Sequence, residues 1–228
     1  MVTKARQSAV YLDAIGLFLA GFNNTILALL VAVFIHGPGT TTNQPDLLQR
    51  ALYIAENELL WEMGWLFWFL PTLTFSWSYY ALGRHLSGPQ QWRDLAIGLA
   101  VIAAAVDIVG ILLNYTVLPE LARALAATAS APDATLQVVF QAMEMMANNL
   151  TNVGGFGLYS LAGLLLLPAV FATKDFPRTL AWLGVVEWTI SIFATILLAT
   201  APDLATVPLV LSFLLYAPWV WGGAVWII

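Results

Sequence analysis

LLWEMGWLFWFLPTLTFSWSYYAL, Leu59 to Leu82, is long and apolar enough to cross a bilayer, yet it carries a carboxylate and a dense set of aromatic rings. At about 1.5 Å of rise per residue, about 20 residues cover the roughly 30 Å hydrocarbon core, so a spanning helix fits with residues to spare. At about 100° per position, Trp61, Trp65, Trp68, Thr72, Phe75 and Tyr79 fall in one sector, with Glu62 and Ser76 beside them. Leu59, Leu60, Met63, Phe67, Leu70 and Pro71 fall opposite. One face therefore mixes an acid, hydroxyls and indoles, while the other suits lipid. A charge carried into lipid on a helix is costly and by default faces the bundle interior, which makes Glu62 the first functional candidate.

Composition extends this reading to the whole chain. It is 61% hydrophobic and 9% charged with a mean hydropathy of +0.83, which excludes a soluble fold. The 228 residues hold about six spans with short connections, a single transmembrane domain over 1–228. Eight basic residues and a net charge of -5 leave no stripe to track phosphates, which excludes nucleic acid as a partner. No cysteine is present, so disulfides, thiolate chemistry, iron–sulfur clusters and Cys-based zinc sites fall away.

The first span is read from about Ala9 to Ile35 behind Lys4 and Arg6, too long for a signal-peptide core and therefore uncleaved. Asp13, Gly16, Ala20 and Asn23 fall on or near one side of it. GPGTTTNQP at 37–45 reads as a loop, and Asp46 caps a helix whose Leu47, Ala51, Ile54 and Ala55 share an apolar face, placed at the membrane interface. It leads into the second span, where Glu58 stacks one turn before Glu62. The third span, about Asp94 to Leu118, aligns Ala96, Ala100, Ala103, Asp107, Gly110 and Asn114, and those small residues turn Asp107 inward. A connector is expected from Pro119 to Asp133. A second amphipathic helix then sets Gln137, Gln141, Glu144, Asn148 and Asn152 opposite Val139, Met143, Met146 and Leu150. VGGFG at 153–157 reads as a backbone hinge before a fourth span to Thr173. The fifth, about Thr179 to Thr200, places Gly184, Glu187, Ser191 and Thr195 on one side, and the sixth runs from about Leu204 to Ile228. The expected fold is an all-α membrane bundle of six transmembrane helices with two amphipathic interfacial helices.

Under this division Lys4, Arg6, Arg84, Arg93, Lys174 and Arg178 fall on one side and only Arg50 and Arg123 on the other, which puts both termini in the cytoplasm of a plasma (inner) membrane protein. The order of elements, with Leu167-Pro168, then Phe176-Pro177-Arg178, then Leu180 to Gly184 opening the fifth span, resembles an uncharacterised family of bacterial six-helix membrane proteins known as a domain of unknown function. The resemblance implies a six-helix bundle with both termini inside. It carries no catalytic residue and no substrate.

The candidate catalytic residues are Glu62, Asp107 and Glu187. The candidate ligand contacts are Trp61, Trp65, Trp68, Asn23, Glu58 and Asn114. The plainer reading of Glu62 and its indoles is an interfacial aromatic belt with a snorkelling acid. For Asp107 and Glu187 it is a structural acid tied to Asn23, Asn24 or Asn114. His36 and His85 sit at opposite ends and share no metal, and no cofactor is expected. The absence of lysine from the spans argues against a retinal Schiff base. Three functions fit these residues. One is binding or passage of a small lipophilic molecule, cations included, in an outward-opening cavity between spans one, two, three and five, with indole faces giving cation–π contacts. Another is acid-catalysed isomerisation or cyclisation of an isoprenoid-like lipid, with aromatic faces stabilising the carbocation. The third is an accessory subunit packed on a membrane protein partner, with a homo-oligomer as a variant.

Overall fold

The computed structural model describes residues 2–40, 44–128 and 133–228; it is 91% helical, and no strand occurs among the described residues. Ten α-helices follow in order: α1 Val2–Gly21, α2 Ala28–Leu30, α3 Leu47–Glu56, α4 Glu58–His85, α5 Gln90–Leu112, α6 Leu118–Ala127, α7 Ala134–Asn148, α8 Phe156–Ala172, α9 Arg178–Thr200 and α10 Thr206–Ile227. Capping decides several starts. Asp46 accepts from the Gln49 amide (3.0 Å) ahead of α3, and Asp133 from the Thr135 and Leu136 amides (2.7 and 3.2 Å) ahead of α7. Pro89 and Pro177 sit immediately before α5 and α9, where a missing N–H costs nothing.

The long helices close a ring: α1 packs on α4, α4 on α5, α5 on α8, α8 on α9, α9 on α10, and α10 returns to α1. Among the described residues, five stretches are long and apolar enough to cross a membrane: Gln7–His36, Gln90–Ala127, Ala134–Ala172, Arg178–Thr200 and Thr206–Ile227. The expected sixth, on α4, is not among them. α4 is 28 residues long, but Glu58, Glu62, Arg84 and a high share of Trp, Tyr, Ser and Pro lower its hydropathy.

Two cores hold the protein. The larger joins the second half of α1, the second half of α4, the middle of α5 and residues of α8, α9 and α10, with Trp188, Trp219, Tyr79 and Tyr216 sealed inside. Trp188 fits because Gly163 lacks a side chain; a Cβ there would lie inside the indole. The smaller core joins α3, the start of α4, α6 and α7 around Ile54, Trp61, Leu118, Leu125 and Phe140.

Several expectations change. The apolar face of α3 meets α6 rather than lipid, leaving Ala51 and Ile54 fully buried. The chain from Pro119 stays helical through Ala127 instead of forming a connector, because Pro119 falls in the first turn of α6, where no helix bond needs its N–H. The part of that connector at 129–132, and 41–43 of the earlier loop, lie outside the described residues. VGGFG does not break the chain: α7 and α8 join into one rod, 134–172, through a wider-wound segment. The amphipathic pattern of α7 is also turned round. Glu144 is buried, while Val139 and Met146 are exposed, as on a helix facing lipid outside and a polar interior within.

Four π-helical segments interrupt these rods: Phe22–Leu27, Val31–His36, Leu113–Val117 and Asn149–Gly155. A π turn inserts a residue into the i→i+4 ladder and re-aims the side chains after it. These segments carry Asn23, Asn24, His36, Asn114, Thr151 and Asn152. They fix where the polar interior forms.

Candidate functional site

Two adjoining chambers occupy the part of the bundle around the π segments. The deep chamber, about 720 Å³ of empty space counting its mouth, has mainly apolar walls that include Ala28, Pro71, Phe75, Phe156, Leu209 and Phe213. Asn24, Thr72, Asp107 and Tyr159 supply polar groups. The capped chamber, about 570 Å³ on the same measure, lies under α3 and α7 and is lined by His36, Trp61, Trp65, Asn114, Glu144 and Asn148, among others. Ala32, Trp68 and Asn152 belong to both walls.

Asp107 is held at the deep wall by Thr72, whose Oγ1 donates to Oδ2 at 2.6 Å. Tyr159 donates to the Thr72 carbonyl (3.1 Å) and shares a 3.2 Å hydrogen bond with Ser76, so α4, α5 and α8 meet at this carboxyl. Asp107 Oδ1 and Thr151 Oγ1 are buried without a hydrogen bond among the described residues. Asn24 secures the opposite wall: its Nδ2 donates to the carbonyls of Ala20 (2.9 Å) and Pro71 (3.2 Å). Pro71, expected on the lipid side, is buried here.

In the capped chamber the indoles of α4 surround a side chain of the protein itself. His36 stacks on Trp65 with centroids 4.2 Å apart and planes at 19°, and lies 5.0 Å from the Trp61 ring and 6.0 Å from that of Trp68. Gly64 makes room, since a Cβ there would come within 2.7 Å of His36 Nε2. Trp61 Nε1 donates to the Asn114 carbonyl at 2.9 Å, and Asn114 Nδ2 caps the Gly110 carbonyl at 3.0 Å. Over the chamber, Arg50 of α3 grips Glu144 of α7 with two hydrogen bonds, Nε to Oε1 at 2.8 Å and Nη2 to Oε2 at 2.7 Å. Its Nη1 donates to the carbonyls of Gln44 and Pro45, both at 2.9 Å. Tyr53 of α3 donates to the Ile35 carbonyl at 2.8 Å, and its partial burial pushes the phenol above its ordinary pKa.

The predicted residues therefore separate into groups. Asp107 lines the deep chamber, Trp61, Trp65 and Asn114 the capped one, and Trp68 both. Glu62 is half-buried and lines neither. Glu58 sits beside Arg123 at 3.5 Å, away from both chambers. Asn23 is buried against Thr74 (3.4 Å) next to the site without lining it. Glu187 is fully buried elsewhere, its Oε1 accepting from Ser191 (2.9 Å) and Ser212 (3.4 Å) between α9 and α10. The expected cavity between spans one, two, three and five is accordingly corrected. Its walls come from α4, the α5–α6 rod, the α7–α8 rod, α10 and residues between 24 and 40, and α9 contributes none of the lining residues. Neither Asp107 nor Glu187 takes a hydrogen bond from an asparagine among the described residues; hydroxyls hold both.

Sequence reasoning missed Arg50, Glu144, His36, Tyr159 and the carboxamides of Asn148 and Asn152 as one constellation. A signal for Arg50 exists: Leu47, Arg50, Ala51 and Ile54 form an i, i+3, i+4, i+7 face, and a guanidinium on an apolar face requires a partner. Among the described residues no three His, Asp or Glu side chains gather as a metal-holding group. No family model, no curated protein and no solved structure matches this chain.

Proposed function

We propose that this is a multi-pass membrane protein that binds, and in cycling passes on, a small lipophilic molecule housed in the two joined chambers. The observation that carries the reading is their shared wall: Ala32, Trp68 and Asn152 border a mainly apolar space on one side and a more polar one on the other, inside a ring of apolar helices. A cation is the less favoured ligand, because His36 already covers a face of Trp65. On this proposal α4 is the sixth crossing and both termini are cytoplasmic, supported by the six-to-two segregation of basic residues. Reporters at the C-terminus and near Arg84 should score cytoplasmic and one at Thr40 external; a cytoplasmic score at Thr40 removes this topology.

The binding test is native mass spectrometry of protein extracted in mild detergent. Wild-type protein should retain a lipophilic adduct, and Ala32→Phe, which fills the shared wall, should lose it. A wild-type protein that sheds no such mass under activation, or an adduct unchanged in Ala32→Phe, overturns the reading. A second reading, acid-catalysed rearrangement of an isoprenoid-like lipid, is favoured by one observation: Asp107 lines the same chamber as Phe75, Phe156 and Phe213. Incubating the eluted adduct with fresh protein separates the two. Conversion by wild type but not by Asp107→Asn favours the enzyme; unchanged mass and chromatography favour the binder.

A further inference from the structure

We infer that the capped chamber is the head-group subsite of this ligand, and that the head is an uncharged, hydrogen-bonding group, a hydroxyl or carbonyl oxygen, with the tail lying in the deep chamber. The inference rests on the binding reading above and adds the ligand's chemistry.

Charge on the wall carries the first step. Among the described residues, Glu144 and its partner Arg50 bring the only formal charges to the capped chamber, and both are used within the protein. Each Glu144 carboxylate oxygen takes a hydrogen bond from Arg50, and the remaining Nη1 is held by two backbone carbonyls. An alkyl phosphate or ammonium entering here would lose its hydration and meet no free counter-charge, which is unfavourable wherever water is excluded.

Hydrogen-bonding capacity carries the second step. Asn148 and Asn152 project from consecutive turns of the α7–α8 rod into this chamber, and no hydrogen bond fixes either carboxamide among the described residues. A carboxamide offers two donors and an acceptor, which suits an oxygen that can both accept and donate. In the same region Asn114 and Trp61 are committed to backbone carbonyls, so the two free amides stand apart from the groups that maintain the fold.

Direction carries the third. Asn152 stands at the shared wall, and beyond it the deep chamber presents Ala28, Phe75, Phe156, Leu209 and Phe213, which suit an aliphatic or isoprenoid tail. A tail in the capped chamber would instead bury both carboxamides unsatisfied.

The test uses wild-type protein in nanodiscs of zwitterionic lipid and follows tryptophan quenching by three tail-brominated probes: dodecanol, dodecyl phosphate and dodecyltrimethylammonium, compared at equal mole fraction in the bilayer. The alcohol should bind with a Kd about tenfold or more below that of either ion. An ion that binds as tightly as the alcohol overturns the head-group assignment while leaving a lipophilic site in place. Absence of saturable quenching by all three overturns the site itself. Asn148→Leu with Asn152→Leu should weaken the alcohol about tenfold and leave the ions unchanged; equal loss across the series overturns the assignment. If that variant does not fold, the wild-type series decides alone.

Discussion

The end of the bundle that encloses Trp188 and the end that encloses the chambers share α4, α5, α8 and α10, and they differ in how the backbone is wound. At the Trp188 end α4, α5, α8, α9 and α10 are regular, and large rings fit notches left by small residues. Phe75 meets Tyr159 edge-on at 4.6 Å, Trp188 meets Trp219 edge-on at 5.3 Å, and Ala162, Ala169 and Ala181 are fully buried around them. At the other end π segments in three of the rods shift successive side chains off the regular stripe. Two of the buried acids mark the contrast. Glu187, on the regular helix α9, is enclosed by Ser191 and Ser212, while Asp107 stands at the edge of an empty space. Regular winding alone accompanies the closed core, and where π segments occur their Asn24, Asn114, Thr151 and Asn152 join Thr72, Asp107, Tyr159 and Glu144 of the regular helices in lining the open one.

If the Trp188 end is a close-packed core, truncation there carries the largest cost. Trp188→Ala should lower the unfolding free energy by about 4 kcal/mol, within the range for removing a buried aromatic ring. Equilibrium unfolding in mixed detergent measures it, and a loss below about 1 kcal/mol would mean that this end is as open as the other. The buried ion pair over the capped chamber comes next. Arg50→Met alone should cost about 3 kcal/mol by stranding Glu144, whereas Arg50→Met with Glu144→Leu should recover most of it. Protease protection of α3 together with thermal unfolding reads both. A double variant no better than the single one would show that the pair does more than satisfy its own burial.

The same contrast explains what was legible in the sequence. On regular helices the stripes were readable: Ala96, Ala100, Ala103 and Asp107 all face inward, as do Gly184, Glu187 and Ser191, because a 3.6-residue period maps sequence onto faces. On α4 the indole face was readable and Glu62 was not, since its place beside the stripe left it half-buried at the edge of the site. Across a π segment the period fails, and with it the sector argument that set Asn23 rather than Asn24 among the ligand contacts. The outward reading of Glu144, Asn148 and Asn152 failed for another reason. A polar stripe opposite an apolar one describes equally a helix lying on water and a helix facing lipid around a polar interior, and Arg50, distant in sequence, settles which.

A smaller effect tests the approach of the first rod to α4. Gly64→Ala places a methyl against His36 Nε2, and the ring can give only by leaving its stack on Trp65. The cost should be about 2 kcal/mol, typical of overpacking, accompanied by a change in tryptophan emission as the imidazole withdraws. A stable variant with unaltered emission would show that His36 has room to turn and that the indole cluster can open to a ligand.

The smallest expected effect is the most direct comparison of the two ends. Ala28 and Ala162 are both almost fully buried, at 2% and 0% exposure, but Ala28 borders the deep chamber and Ala162 lies in the close-packed core. Replacing either with phenylalanine adds the same volume. At Ala162 the ring has nowhere to go, and overpacking should cost about 3 kcal/mol. At Ala28 it enters existing space against Phe156 and Phe213, where added contact offsets lost rotamer freedom, so stability should move by less than about 1 kcal/mol in either direction. Unfolding curves of the two variants measure the difference, and retention of the co-purifying lipophile gives an independent readout. Ala28→Phe should be the variant that keeps its stability and loses its ligand. Equal destabilisation at both positions would mean that the deep chamber closes in the folded protein, and the binding reading would then lose its site.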